Sequence, residues 1–241
     1  MKIIKKTVRW IVVAFFASTI LSVVALRFLP VYVTPLMVSR CVEQVREGRS
    51  ITLHHHWIPM EKISRHMPVA VMASEDARFL KHHGFDYDAI QKAAKRNRQG
   101  GKNMLGASTI SQQTVKNVFL WQGRSWLRKG LEAYFTVLVE LIWSKQRIME
   151  VYLNSIEMGD GIYGVDAVAK YHFGKTAAEL SRSECALIAA TLPNPRRFSS
   201  KHPSDYMLKR QRRIEQEMKF IPTFPREGEN YDPSTAAGGV Y

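Results

Sequence analysis

The sequence offers little support for disulfide, redox or metal chemistry. It has 2 cysteines among 241 residues, Cys41 and Cys185, which lie far apart and have no nearby partner at metal-binding spacing. They could form a disulfide in an oxidising compartment or remain buried free thiols, and the sequence leaves both alternatives open. The cluster of His54, His55 and His56 has no spaced carboxylate or cysteine beside it, so it does not predict a structural metal site.

Two common catalytic motifs are also missing. The glycine-rich segment GKNMLGASTISQQTVKN lacks the Gly-Lys-Ser/Thr ending of a P-loop, which excludes that class of phosphate-binding loop. Its Ser108 does not lie in a G-x-S-x-G elbow, which argues against a serine nucleophile. The chain has no internal repeat, and its 241 residues allow one sizeable domain with appendages but not two full enzymatic domains.

Charged residues are absent from a long segment near the N-terminus. The run WIVVAFFASTILSVVAL is uncharged, and the apolar stretch continues past Arg27 to Leu29. A bilayer core needs about 20 such residues, which predicts a transmembrane helix over 10–29. Residues 1–9 contain lysine and arginine but no acid, so the positive-inside rule places the N-terminus in the cytoplasm and the body outside. A cleaved signal peptide is the alternative, but the residues around Arg27 form a poor cleavage site.

Acidic residues are outnumbered by basic ones. The chain has 21 Asp and Glu against 35 Lys and Arg, and its formal net charge is +14. Such an excess favours anionic partners. An extracytoplasmic domain rarely meets nucleic acid, so we expect no nucleic-acid partner. Anionic phospholipid head groups or a lipid-linked diphosphate fit the expected topology better.

Helical periodicity dominates after the membrane segment, and strand-like alternation is scarce. Helical patterns occur at 68–81, 87–97, 109–119, 127–143, 145–154, 181–191 and 206–219, which predicts a mainly α-helical protein. Ser181 and Glu184 form a capping box at the start of one of these helices. The expected organisation is a basic cytoplasmic leader at 1–9, a transmembrane helix at 10–29, a juxtamembrane connector at 30–50, a globular domain at 51–219 and a loosely ordered tail at 220–241.

The stretch ASEDARFLKHHGFD places Glu75 directly before Asp76 among apolar and histidine residues. If the helix continues to the glycine of this stretch, Glu75, Phe79 and either His82 or His83 lie near one face. A partly desolvated carboxylate beside an aromatic ring and a histidine is a candidate general base. The alternative is an ordinary solvated acid on a helix surface.

The next polar group lies on the pattern at 109–119. On a helix that opens near Ser108, Gln112 and Lys116 share a face, and Gln113 is adjacent. Backbone N–H groups at the helix start, the two amides and the ammonium would suit a sugar that carries a phosphate. An ordinary polar helix face is the alternative.

A third group lies in GRSWLRKGLEAYFTVLVELIWSK. Arg128 and Glu132 are four residues apart, which is the spacing of an intrahelical ion pair worth roughly 0.2–0.5 kcal/mol. That pair leaves Arg124 and Lys129 as surplus cations around a single carboxylate in an otherwise apolar helix. Unpaired cations need an anion, and a diphosphate would serve.

Together these segments resemble the glycosyltransferases that polymerise lipid II into peptidoglycan glycan strands. Five blocks carry the resemblance in order: ED-x-x-F-x-x-H-x-G at Glu75, G-x-S-T-I-S-Q-Q at Gly106, R-K-x-x-E at Arg128, then KQRIMEVYLNSIEMGDGIYGVDAVAKYHFGK and SECALIAATLPNP. They cover about residues 60–200. Because no transpeptidase domain is expected after Tyr206, the chain resembles the monofunctional, membrane-anchored form.

The resemblance implies a mainly α, lysozyme-like fold with a larger lobe and a small membrane-associated lobe flanking a cleft. It implies polymerisation of lipid II into linear β-1,4 strands, with inversion at C1 of the donor and release of polyprenyl diphosphate. A lysozyme-like glycan hydrolase is the alternative. Hydrolases need no diphosphate site, so the basic residues around Glu132 favour transfer.

The resemblance also implies roles for individual residues. Glu75 is expected to be the general base, and Glu132 the second carboxylate, which holds the cations and the donor in place. The expected substrate-binding residues are Asp76, Phe79, His82, Ser108, Thr109, Gln112, Gln113, Lys116, Asn117, Arg124, Arg128 and Lys129. The family's last block ends here in Arg196 and Arg197, and which of them contacts substrate is left open.

The expected partners are lipid II, the growing glycan strand and the membrane, with other cell-wall synthesis or division proteins left open. The sequence requires no cofactor. A divalent cation, Mg or Mn, held near the diphosphate with help from Asp76 is also left open. The expected location is the bacterial cytoplasmic (inner) membrane, crossed once, with the catalytic domain outside.

Overall fold

The computed structural model describes residues 2–99, 106–123 and 125–237, and their fold is mainly helical, as predicted. The α-helices are Lys2–Phe28 (α1), Pro35–Arg46 (α2), His66–Glu75 (α3), Tyr87–Arg98 (α4), Ile110–Phe119 (α5), Trp126–Ile142 (α6), Lys145–Ser155 (α7), Val165–Val168 (α8), Arg182–Thr191 (α9) and Asp205–Glu217 (α10). Three short strands, His54–His55 (β1), Glu157–Gly159 (β2) and Ile162–Tyr163 (β3), form one sheet. The central β3 pairs parallel with β1 and antiparallel with β2.

Helix α1 is long and apolar enough to cross a membrane. Its C-terminal half packs on the domain. The hydroxyls of Thr19 and Tyr134 lie 2.8 Å apart, and the indole N–H of Trp143 donates to the carbonyl of Val23 at 2.8 Å. The guanidinium of Arg147 donates to backbone carbonyls where α1 ends. This single N-terminal helix fits a membrane anchor.

The predicted connector contains α2, which is docked on the domain. Leu36 and Met37 are buried against Tyr163 of β3. The side chain of Gln44 exchanges two hydrogen bonds with the backbone of Thr52, at 2.9 and 3.2 Å. These contacts tie the segment after the membrane helix to the sheet.

Short polar side chains define where the helices that carry the site begin. Most of these helices have an N-cap residue whose hydroxyl accepts the backbone N–H of the residue three positions later. The N-cap residues are Thr109 (α5), Ser125 (α6), Ser144 (α7), Ser181 (α9) and Ser204 (α10). The predicted capping box of Ser181 and Glu184 is confirmed.

The core surrounds α9, which packs on both α3 and α10. Its small side chains Ala186, Ala189 and Ala190 are fully buried, so the helices approach closely. Helix α5 packs on α6 and α7, with Val115 and Tyr152 fully buried between them. These contacts hold the end of α3 beside the face of α5.

Helix α3 ends at Glu75, so the prediction of a helix that continues to the glycine was wrong. Asp76 leaves the helical conformation, with φ −161° and ψ 76°, because its carboxylate accepts the N–H of Ile110 at the start of α5. Gly84 closes the following loop with φ +89°. A Cβ there would lie 2.7 Å from Cγ2 of Thr136, so both the conformation and the close approach to α6 require glycine.

Two apolar residues at the start of the predicted tail are docked on the domain. Ile221 and Phe224 are buried, with 4% and 2% of their surface exposed. Their apolar side chains sit against the segment that follows Glu75. The proline- and glycine-rich composition of the tail did not predict this contact, because the contact depends on only a few apolar residues.

Candidate active site

Glu75, the last residue of α3, lies at the edge of an open cleft of about 390 Å³. Its side chain is 15% exposed. One carboxylate oxygen accepts a hydrogen bond from Nε2 of Gln113 at 3.1 Å, and the other accepts one from the hydroxyl of Ser74 at 3.0 Å. The guanidinium of Arg210 lies 3.9 Å from the second oxygen. This carboxylate is therefore oriented, partly desolvated and open to a ligand, as a general base requires.

The amide of Gln113 is itself oriented. The hydroxyl of Tyr152 donates to Oε1 of Gln113 at 3.2 Å, which turns the amide N–H toward Glu75. Burial raises the pKa of Tyr152 well above its usual value, so this phenol remains a neutral donor. Tyr152 was not singled out from the sequence.

Asp76 supports the loop after Glu75. Its buried carboxylate lies 2.9 and 3.0 Å from Nε2 of His82 and accepts the N–H of Ile110 at 3.0 Å. Phe79 is fully buried and meets the ring of His82 edge to face. Phe79 and His82 therefore hold Asp76 and its loop, and neither lines the cleft.

Asp76, His82 and Asp86 could in principle hold a metal ion, since one ligand atom from each lies within 4.8 Å of the others. Nε2 of His82 and the carboxylates of Asp76 and Asp86 already have protein partners, whereas the buried Nδ1 of His82 has none among the described residues. Asp76 is bonded as described, and Asp86 accepts the N–H of Ala89 at 3.0 Å at the start of α4. These residues thus make structural contacts within the chain, and a divalent cation held near the diphosphate with help from Asp76 stays a prediction.

Two of the predicted substrate-binding residues stabilise the start of α5. The hydroxyl of Thr109 donates to the carbonyl of Gly84 at 2.7 Å, and the carbonyl oxygen of the Gln112 side chain accepts the N–H of Thr109 at 3.1 Å. Asn117 is buried on the same helix. Ser108 is exposed and lines the cleft, so its hydroxyl is available to a ligand.

A cluster of charges lies on the adjoining faces of α5 and α6. Glu132 is 3% exposed and accepts hydrogen bonds from Arg128, at 2.9 Å, and from Lys129. Burial lowers the pKa of Lys116; Glu132 and Glu75 counter that shift, while Arg128 and Lys129 add to it. Lys116 is thus close enough to both carboxylates to interact with each.

Two donors in this cluster remain available. Lys116 has no ion-pair partner among the described residues, and the buried Nε of Arg128 has no hydrogen-bond partner there either. A partly buried cation without an anion is costly unless a ligand supplies one. The remaining predicted cation, Arg124, lies outside the described residues, as do residues 100–105 of the preceding loop.

Sequence reasoning missed two cations near Glu75. Arg210 of α10 donates to the hydroxyl of Ser74 at 3.2 Å and approaches Glu75, and Lys92 of α4 lines the cleft. The signal for Arg210 was the basic helix YMLKRQRRIEQEMK. Composition could not tell which of its cations faces α3, because that depends on how α10 packs.

Arg196 forms ion pairs with two other segments of the chain. It lies 3.0 Å from Glu43 and 3.8 Å from Glu47, both at the end of the α2 segment, and 4.0 Å from Asp160. Arg197 is exposed. Arg196 therefore fastens α2 to the β2–β3 turn, a role that its position in the last sequence block did not reveal.

The histidine cluster and the cysteines play no part in this site. His56 pairs with Asp166 at 3.0 Å, and His54 stacks on Tyr171 with ring centroids 3.9 Å apart. Within the described ranges these histidines do not form a metal-holding group. Both cysteines are free thiols, which decides the alternative that the sequence left open.

An oriented carboxylate in a cleft, near a cluster of cations held by a buried glutamate, suits the transfer of an activated sugar. Residues 43–219 match the protein family described as Transglycosylase. The chain is 60% identical over 225 residues to the biosynthetic peptidoglycan transglycosylase of Bacteroides thetaiotaomicron, covering 92% of this chain and 90% of that protein. It is 53% identical over 209 residues to the protein of that name from Bdellovibrio bacteriovorus (86% and 83% covered). For Pseudomonas syringae pv. syringae the identity is 50% over 207 residues (86% and 87% covered).

The chain therefore belongs to the transglycosylase family, and its activity is that of a peptidoglycan glycosyltransferase. The matched domain begins at residue 43, inside α2, and ends at 219, just after α10.

Proposed function

We propose that this glycosyltransferase polymerises lipid II into linear β-1,4 glycan strands, with inversion at C1 of the donor and release of polyprenyl diphosphate. The observation that carries the proposal is the contact of Gln113 with the Glu75 carboxylate at 3.1 Å, because Lys116 lies three residues further along the same helix, α5. This arrangement supports a base for the attacking hydroxyl and cations for a leaving diphosphate in one site.

Glu75 is assigned the proton transfer. As the 4-hydroxyl oxygen of the acceptor forms its bond to C1 of the donor, the hydroxyl proton passes to the Glu75 carboxylate. Gln113 and Ser74 each donate one hydrogen bond to this carboxylate, so a lone pair remains free on each oxygen for the acceptor. Attack on the face opposite the leaving group inverts C1.

The cations are assigned to the leaving group. When the bond between C1 and the diphosphate oxygen breaks, its electron pair stays on the diphosphate, which already carries negative charge. We assign stabilisation of that charge to the ammonium of Lys116 and the guanidinium of Arg128, for which no strong acid is needed. Glu132 holds Arg128 and Lys129 in place through its two hydrogen bonds.

Helices α1 and α6 support a location at the membrane. Trp126, Leu127, Val137 and Leu141 of α6 are exposed, with Trp126 93% exposed. An apolar surface beside a helix that is long enough to span a bilayer supports a membrane-associated lobe. We propose the bacterial inner membrane, with the N-terminus inside and the catalytic domain outside. Other cell-wall synthesis or division proteins as partners remain a prediction.

Labelled lipid II tests the proposal. The purified full chain should convert it in detergent to polymer that lysozyme digests. Inert lipid II would overturn the proposed substrate. Release of small glycan fragments from preformed strands, with lipid II untouched, would instead support the lysozyme-like hydrolase, which has no use for the cation cluster.

A further inference from the structure

We propose that residues 220–229, here termed the C-terminal strap, position the catalytic carboxylate Glu75 from outside the matched transglycosylase domain. The inference rests on the proposed role of Glu75 as general base. The strap begins directly after the match to the family ends at residue 219. No feature of the five sequence blocks points to it.

The main contact is aromatic. Phe224 is 2% exposed and stacks on Phe79, with ring centroids 6.3 Å apart and an interplanar angle of 21°. Phe79 also meets the ring of His82 edge to face, and the ammonium of Lys145 lies 4.4 Å from the Phe79 centroid. Phe224 thus completes the enclosure of Phe79.

Phe79 is connected to Glu75 by short links. His82, which packs on Phe79, is hydrogen-bonded to Asp76, the residue next to Glu75. The N–H of Phe79 donates to the carbonyl of Asp76 at 3.1 Å. Because helix α3 ends at Glu75, this loop fixes where its last residue points.

The strap also holds the beginning of the α3 segment. The guanidinium of Arg226 donates to the carbonyl of Ile63 at 2.8 Å. Arg65 forms two hydrogen bonds with Glu229, at 2.7 and 3.2 Å, and Glu229 in turn accepts the N–H of Arg226. The strap therefore contacts the chain before α3 and after it.

The strap reaches the cleft as well. Ile221 lines the same cleft as Glu75, together with Glu217 at the end of α10. Pro222 and Tyr231 close a small void against Ala77 and Leu80, which follow Glu75. Loss of the strap would thus change the wall of the cleft and free the loop that follows the base.

The test compares Phe224→Ala and Phe224→Leu with Leu36→Ala in the full chain. Leu36 lies in a separate small cluster with Met37 and Tyr163, so its truncation removes buried apolar surface far from Phe79. We expect Phe224→Ala to lower kcat about 10-fold or more, because small misplacement of a catalytic group is costly. KM and the affinity for a phosphoglycolipid inhibitor should hardly change, since the cations are untouched.

Phe224→Leu should restore part of the rate, and Leu36→Ala should keep wild-type kcat at a similar loss of melting temperature. Amide hydrogen exchange provides a readout that does not need activity: protection of residues 76–83 should fall in the Phe224 variants and not in Leu36→Ala. If Phe224→Ala does not fold, Phe224→Leu is judged by the same criteria.

If Phe224→Ala changes neither kcat nor amide hydrogen exchange at residues 76–83, the proposed role of the strap is wrong. Equal loss of kcat in Leu36→Ala would contradict that role too, because the effect would then follow stability alone. Failure of the wild-type chain to use lipid II would count against the proposed function, and the exchange comparison would still decide whether the strap holds the loop.

Discussion

Nε2 of Gln113 donates to the Glu75 carboxylate at 3.1 Å, so a residue of α5 sets the orientation of the last residue of α3. The amide is held in turn by Tyr152 from α7. Three helices meet at one carboxylate, and each contributes a side chain from a different sequence block. Sequence blocks that are separate along the chain therefore meet at one site in the fold.

Glu75→Gln should abolish polymerisation and leave the fold intact. The change keeps the shape of the side chain but removes the base, and loss of a general base costs on the order of 100- to 10,000-fold. Lipid II turnover and melting temperature are the measurements. Glu217→Gln, which changes another carboxylate of the same cleft, serves as control and should alter turnover less than about fivefold. Turnover of Glu75→Gln near that of wild type would place the base elsewhere.

Tyr152→Phe should lower kcat by roughly 2- to 10-fold, the worth of one net hydrogen bond. Without the hydroxyl, Oε1 of Gln113 loses its donor and the amide is free to turn away from Glu75. Tyr134→Phe makes the same chemical change at the contact with Thr19 of α1 and should keep kcat in detergent. Equal rates in the two variants would show that the Tyr152 hydroxyl does not orient Gln113.

The loss of activity at alkaline pH should begin at a lower pH than expected if the ammonium had the pKa of an ordinary lysine. Burial lowers the pKa of Lys116, so the ammonium that we propose to stabilise the leaving diphosphate is neutralised at lower pH than an ordinary lysine. Lys116→Arg keeps the charge at high pH and should move this loss of kcat to higher pH, although its absolute rate drops because the guanidinium has a different shape. A pH–rate profile of both proteins is the measurement. Superimposable alkaline limbs would mean that another group titrates.

The sequence predicted most of the helices and an N-terminal apolar helix long enough to span a membrane, because these depend on periodicity and local residue type. It did not predict that Phe79 and His82 are buried supports, since a helix that continued to Gly84 would have placed them near the face of Glu75. That helix stops because Asp76 bonds to the start of α5, a contact between residues 34 positions apart. Arg210 and Phe224 were missed for the same reason: their roles depend on packing between distant parts of the chain.

Deletion of residues 1–29 should leave a folded domain that still binds membranes weakly. The exposed apolar residues of α6 and the basic surface remain, whereas the span is lost. Turnover should drop at low substrate concentration, since the anchor keeps the enzyme at the membrane. Vesicle co-sedimentation and turnover of liposome-embedded lipid II measure the two effects. Equal activity with and without the span would contradict an anchoring role.

Exchange of Arg128 and Glu132 separates a diphosphate site from a simple ion pair. If Arg128 served only to neutralise Glu132, the swapped pair would keep most of the stability and some activity, because an exposed ion pair contributes little in either orientation. Glu132 is buried, however, and also binds Lys129, so the swap buries a guanidinium beside Lys116 and places a carboxylate toward the leaving group. We therefore expect an inactive protein.

The single variants sharpen this test. Lys116→Ala and Arg128→Ala should each impair turnover far more than melting temperature, and both should weaken binding of a phosphoglycolipid inhibitor whose phosphate takes the place of the donor's. Lys95→Ala removes an exposed cation of α4 that does not line the cleft and is the control for net charge. Removal of a cation that faces the departing diphosphate must raise the barrier to its departure. Normal turnover and inhibitor affinity in both alanine variants would therefore show that Lys116 and Arg128 do not bind the diphosphate.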